Sequence, residues 1–277
     1  MSNIVLTGGV RANLLNLQAT GDLIAQTQVR LSTGKKVNSA LDNPTNFFTA
    51  QSLNNRAGDL STLLDSMSNA VKTLQAADNG ISAITKLVQS AQALARQAQQ
   101  TSDAAEKATL AAQFDDTLSQ IDLLATDASF NGKNLIGGAG AANDLDVVFN
   151  EDGSSTLTIT AVDLTSAATG IDIPGAIGSW AAAADIQTSL DDVTAALAEL
   201  RSQSKAFGSS LATVQARQDF TKSMINTLTT GADNLTLADS NEEGANLLAL
   251  QTRQQLSTTA LSLAVQSDRN VLRLFGG

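Results

Sequence analysis

Residues 30 to 44 read RLSTGKKVNSALDNP, and how this stretch is understood decides the organisation of everything around it. A Gly followed by two lysines, after Ser and Thr, looks like part of a phosphate-binding loop. Such a loop needs another Gly five residues earlier and a Ser or Thr after the Lys, placed between a strand and a helix so that backbone N–H groups face the phosphates. Val29 and Lys36 stand at those two positions, and the preceding residues carry a helical pattern. The stretch therefore reads as the end of a helix. Gly34 releases the chain, Lys35 and Lys36 suit the carbonyl end of a helix, and Pro44 keeps Asn43 out of the helical region. Residues 34–45 are expected to form an extended connector marked by Gly34, Asn38, Asp42 and Pro44.

Upstream of the connector, Val10, Leu17, Ile24 and Leu31 recur every seven residues, with Leu14 and Gly21 in alternate positions. This predicts a helix meant to lie along another helix. Gln28 interrupts the stripe, and Gly21 weakens the helix by about 1 kcal/mol relative to Ala, so the helix is marginal alone.

Downstream, Leu60, Leu63, Leu64, Met67, Val71 and Leu74 predict a long helix from about Phe47 to Gln100, with a weak point at Asp78, Asn79 and Gly80. Asp103 and Glu106 fit a capping box that opens the next helix, which runs to about Ala128. Asn131 and Gly132 follow, a dipeptide suited to a tight hairpin turn.

The composition then shifts. Residues 137–180 are rich in Gly, Ala, Ser, Thr and Asp and contain LDVVFN and STLTITAV, which predicts a small β-rich insert. Helical spacing returns from Trp180 to about Thr229 and is expected to break at Gly231, Asp233 and Asn234. Ser240 and Glu243 form a second capping-box candidate. The final apolar helix, about 36 residues or roughly 54 Å long, cannot cover its own stripe and needs a partner. The heptad-bearing N-terminal helix is the obvious one.

Composition narrows the function. The chain has no Cys and no His, which removes disulfides, thiolate metal sites, the commonest metal ligand and the commonest general base. A net charge of −10 disfavours binding to nucleic-acid phosphates. No run of about 18 apolar residues exists, so no membrane span is expected, and no signal peptide is recognisable. Asp115-Asp116, Asp191-Asp192 and Glu242-Glu243 are adjacent residues that point about 100° apart on a helix, so they read as solvated faces or helix starts and not as acid–base pairs. No metal, cofactor or catalytic residue is expected.

The stretch QVRLSTGKKVNSALDNP (28–44) closely resembles the N-terminal motif of bacterial flagellins. Similar matches follow in order at FNGKNLI (130–136), NLTLADSNEEGANLLALQTRQQL (234–256) and ALSLAVQSDRNVLRLF (260–275). The resemblance implies a mainly α fold: an inner-tube helix (1–33), the connector (34–45), outer-rod helices and hairpin (46–136), a surface insert (137–180), a further outer-rod helix (181–232) and a C-terminal inner-tube helix (233–277). It implies a structural subunit of a helical filament used for swimming. Unfolded export through the flagellar type III apparatus and an extracellular location go with it. So do many copies of the chain as partners, together with hook-filament junction and cap proteins and an export chaperone.

Two marginal helices at the chain ends should stay largely disordered in the monomer and become ordered when neighbouring copies cover their stripes. The expected assembly contacts are Leu14, Leu17, Ile24, Leu31, Leu256, Leu263, Leu272 and Leu274. The rival readings are a hook-filament junction protein, which is similar at both ends, and a coiled-coil adaptor or secretion-needle component, which would lack the connector motif. A central metalloprotease domain is excluded, since its zinc motif requires His.

Overall fold

The computed structural model describes residues 8–275. Among them are five α-helices: α1 (Gly8–Thr33), α2 (Pro44–Gln100), α3 (Ala104–Asp127), α4 (Ala183–Thr236) and α5 (Ser240–Phe275). Strands β1 (Leu145–Val148) and β2 (Thr156–Ile159) form a two-stranded antiparallel sheet. The fold is mainly α with a small β insert. The described residues fall into two compact units, one built from the segments up to Asn55 and from Thr227 onward, the other from Arg56–Asn226.

The larger unit holds the extensive core. Met67, Leu74, Ile84 and Val88 of α2, Phe114 and Ile121 of α3, and Ile186, Val193 and Leu200 of α4 are fully buried. Their three- and four-residue spacing puts one stripe of each helix inward. Ala91, Ala95 and Ala98 continue the α2 stripe with full burial, where small side chains let neighbouring backbones approach closely.

The weak point expected at Asp78–Gly80 does not interrupt α2. Gly80 is there for space. A Cβ at this position would lie 2.6 Å from Ile136 Cδ1 and 2.8 Å from Ala128 Cβ, so the residue is a contact site for the segment after α3.

At the start of α3, Asp103 accepts a hydrogen bond from the Ala105 N–H at 2.8 Å. Glu106 instead accepts from the Thr101 hydroxyl at 2.7 Å, and that same hydroxyl accepts from the Asp103 N–H. The reciprocal box is thus relayed through Thr101. Asn131 and Gly132 take φ of 50° and 77°, while Phe130 and Lys133 exchange both backbone hydrogen bonds, at 2.9 and 3.0 Å. This is the geometry that a two-residue primed turn requires. Asn134 then ties the turn to α3, donating to the Ala125 and Thr126 carbonyls at 2.8 and 2.9 Å.

In the insert, Leu145 pairs with Ile159 and Val148 with Thr156, so Val147 and Ile159 face the core. Two α3 carboxylates fasten the segment that follows. Asp122 accepts from the Ser166 N–H at 2.6 Å and Asp115 from the Ala176 N–H at 2.7 Å. Trp180 is fully buried 5.0 Å from the Phe114 ring, with its indole N–H donating to the Ser189 hydroxyl at 3.1 Å. The helix after the insert begins at Ala183, not at Trp180.

Candidate assembly surface

In the smaller unit α1 pairs with α5. The α1 face turned inward carries the heptad Val10, Leu17, Ile24 and Leu31, with Val10 buried and the other three half-buried. The alternating positions of that seam are not those of Leu14 and Gly21. Thr20 and Thr27 fill them and are buried, because the seam advances three residues from Leu17 and Ile24 to the alternate position and then four to the next heptad residue. The Thr20 hydroxyl is satisfied by the Asn16 carbonyl at 2.7 Å. On α5 the matching face has Glu243 buried and Leu247, Leu250, Leu261 and Ala264 half-buried.

Both helices keep apolar residues outside this seam. Leu14 is 37% exposed, Leu256 67% and Leu263 62%. By helical periodicity Leu256 and Leu263 share one flank of the outward half of α5, roughly 130° from the middle of its α1-facing side, and exposed Leu248 lies on the other flank. Exposed Leu15 and Val29 lie opposite the α1 seam, while Leu14 and Leu23 sit on its two flanks. The predicted residues therefore divide into inward Leu17, Ile24 and Leu31, Leu14 on the flank of the seam, and outward Leu256 and Leu263. The side chains of Leu272 and Leu274 lie outside the described residues. Sequence reasoning missed Leu15, Leu23, Val29 and Leu248, whose signal was their position off the heptad.

The connector is shorter than expected, since α2 begins at Pro44. Asn43 caps it, its side chain accepting from the Asn46 N–H at 3.0 Å. Pro44 is thus the first helical residue, where a missing N–H costs nothing and the fixed φ suits the helix. Gly34 has φ of +69°, the left-handed conformation that lets α1 stop. Its carbonyl accepts from the Ala238 N–H at 3.0 Å, and the Lys36 N–H donates to the Thr236 carbonyl at 2.8 Å. Lys36 does serve a helix end, but that of α4, with its ammonium on the Asn234 carbonyl at 3.0 Å.

Asp42 closes the connector's turn by accepting from the Asn38 and Ser39 N–H groups, both at 2.9 Å. These bonds, Ser39's first, hold its carboxyl below the ordinary carboxylate value.

The break expected at Gly231–Asn234 does not occur, and α4 continues to Thr236. The cap of α5 is Asp239 and not Ser240: Asp239 Oδ1 accepts from the Asn241 N–H at 2.8 Å. Glu243 therefore has no capping role. It lies in the first turn of α5 and accepts from Arg30, in the last turn of α1, at 3.0 Å. The C-terminal end of α1 meets the N-terminal end of α5, so the pair runs antiparallel, and each charge sits where its helix dipole favours it.

Among the described residues there is no group of carboxylates that could hold a metal ion, and no helix is long and apolar enough to cross a membrane. What this unit offers is two long helices, each covered on one side.

Comparison with known proteins gives this arrangement its context. The family model described as the bacterial flagellin N-terminal helical region matches residues 10–141, and that of the bacterial flagellin C-terminal helical region matches residues 190–275. Flagellin FljM of Caulobacter vibrioides is 32% identical over 99% of both chains, and flagellin FljO of the same organism 33% identical, again over 99% of both. A flagellin of Brucella melitensis is 28% identical over the whole of both chains. The matched regions hold α1, the connector, α2, α3 and α5 together with most of α4, and the chain belongs to the bacterial flagellin family, the structural subunits of the flagellar filament.

Proposed function

We propose that the protein builds its filament by having neighbouring copies cover the apolar residues that the α1–α5 pair leaves outward. The observation that carries this is the exposure of Leu256 and Leu263 on the outward half of α5, outside its α1 seam. Apolar rows of this length on marginal helices are stable when buried, and a head-to-tail contact whose rotation does not close produces an open helical polymer. Leu17, Ile24 and Leu31 act within the chain by setting the α1–α5 register. Leu14, Leu256 and Leu263 act between copies, as do Leu272 and Leu274.

In this reading the connector, with Gly34, Asn38, Asp42 and Pro44, joins the inner and outer layers of the filament, and Asn131-Gly132 forms the hairpin of the outer rod. Residues 137–180 face outward. The role is mechanical and involves no catalytic step, in keeping with a chain that has neither His nor Cys. The protein is exported unfolded by the flagellar type III apparatus to the cell exterior, escorted by an export chaperone, and meets junction and cap proteins at the ends of the polymer. The test is removal of residues 1–33 or 240–277. Neither truncation should give filaments by electron microscopy, and normal filaments from either would overturn the reading.

A further inference from the structure

The chain contains two Asn-Gly steps, Asn79-Gly80 and Asn131-Gly132. Asn followed by Gly is the dipeptide most open to loss of ammonia, because a glycine carries no side chain to hinder attack by its nitrogen on the Asn carboxamide. The two steps stand in different surroundings. Asn79-Gly80 lies inside α2, with Asn79 exposed and Gly80 buried. Asn131 and Gly132 form the tip of the turn after α3 and are both exposed. Neither the Asn131 carboxamide nor the Gly132 N–H has a hydrogen-bond partner among the described residues. By exposure alone the turn is the reactive step.

Backbone geometry reverses that ranking. Ring closure needs the glycine nitrogen eclipsed with the Asn Cβ about the Cα–C bond. Asn131 and Gly132 have φ of 50° and 77°, the primed turn, whose first central residue has ψ of about +30°; this turns the Gly132 nitrogen roughly 150° away from the Asn131 Cβ. In α2 a helical ψ of about −42° leaves a smaller angle, but the Gly80 N–H is held in the helical ladder. Neither step can close a ring until its element opens. For the turn, opening breaks the two bonds that Phe130 and Lys133 exchange at 2.9 and 3.0 Å, and the hydrogen bonds of Asn134 to the Ala125 and Thr126 carbonyls hold it against α3.

We propose that Asn131-Gly132 is a deamidation site gated by its own hairpin, reactive while the chain is unfolded and inert once the turn closes. In the open chain the Gly132 nitrogen gives its proton to solvent and attacks Asn131 Cγ. The carboxamide C–N bond breaks, and its nitrogen takes up a proton and leaves as ammonia. Water then adds to either carbonyl of the succinimide ring, one ring C–N bond breaks, and residue 131 becomes aspartate or isoaspartate. The isoaspartate route adds one carbon to the main chain, so a two-residue turn can no longer align both Phe130–Lys133 bonds. The damage extends past the tip. Ile136 of the same segment packs onto α2 at Gly80, where a Cβ would lie 2.6 Å from its Cδ1, and a hairpin that cannot close unseats that contact. Modification thus marks chains that stayed unfolded too long, and the inference stands apart from the filament reading.

The experiment incubates the full-length, unpolymerised protein in mildly alkaline buffer, native and in urea, and follows both Asn-Gly steps by peptide mass spectrometry, with isoaspartyl methyltransferase to count the rearranged linkage. In urea both steps should lose ammonia at similar rates. In the native protein the Asn131 step should slow by about tenfold or more, because it reacts only through local opening. N134A, which removes the bonds to the Ala125 and Thr126 carbonyls, should speed Asn131 severalfold in native buffer and leave Asn79 as slow as before. If that variant does not fold, the unaltered protein in urea below its unfolding transition takes its place, and there Asn131 should react ahead of Asn79. A native Asn131 rate equal to the rate in urea would overturn the inference, since the closed turn would then give no protection. So would an Asn131 rate that stays unchanged when the hairpin is loosened.

Discussion

Arg30 and Glu243, 213 positions apart in the sequence, meet at 3.0 Å with the Glu243 side chain only 10% exposed and that of Arg30 32% exposed. A carboxylate this well covered depends on its partner, since an unpaired buried charge is costly while an exposed pair is worth little. The pair also fixes register. The last turn of α1 can face only one turn of α5 if the two charges are to meet.

R30Q leaves the Glu243 carboxylate without its cation, and should weaken the α1–α5 pairing by about 1–3 kcal/mol, the range for a partly buried pair discounted for the exposure of Arg30. E243Q should cost less, because a neutral amide still accepts from the guanidinium. Hydrogen exchange of the α1 amides in the assembled protein measures both, and the double variant should be less damaged than the sum of the two single effects.

Two glycines should respond in opposite directions. Gly208 lies in α4 with nothing within 4 Å of a Cβ built on it, so G208A should stabilise the Arg56–Asn226 unit by about 0.5–1 kcal/mol through helix propensity. Gly80 has the Ala128 Cβ at 2.8 Å and the Ile136 Cδ1 at 2.6 Å from the same construction. The Ile tip can swing aside but the Ala methyl cannot, and G80A should destabilise by about 1–3 kcal/mol. Thermal unfolding of the two variants reads the sign directly.

Asp192 is pushed above the ordinary carboxylate value by burial, and further by the charges of Asp172 and Asp191. The folded chain thus holds this proton more tightly than the unfolded chain. Stability is therefore gained as pH falls from the raised value through the ordinary one, and the ionised group is a burden above that window. D192N should raise the melting temperature at pH 7, and the advantage should vanish once the pH lies below the ordinary carboxylate value. A pH series of melting curves checks it.

The contrast between Asp192 and Glu243 shows what a sequence can and cannot disclose. Periodicity gave the helices, the seven-residue seam of α1 and the location of the β insert, because burial on one face leaves a repeat that survives without any coordinates. Asn131-Gly132 was legible for a similar reason, since few residues accept positive φ. Capping chemistry was legible only in part: both Asp239 and Ser240 suit a helix start, and Glu243, which would complete a box with Ser240, is taken instead by Arg30, 213 positions away. The roles of Gly80, Thr20 and Thr27 depend on partners from other segments, and local pattern carries no trace of those. The break expected at Gly231 does not occur: Leu228 and Ala232 on either side of it are buried, and burial of that face outweighs the low helix propensity of one Gly.

Polymerisation of the full-length double variant L256D/L263D tests most sharply whether the outward face of α5 is an interface between copies. Both side chains are largely exposed, outside the α1-facing side of α5 and outside the Arg56–Asn226 unit, so that unit should melt at its usual temperature. This variant should stay in the supernatant on sedimentation and show no filaments by negative-stain electron microscopy under conditions where the unmodified protein polymerises. Filaments of ordinary yield and appearance from the variant would contradict it.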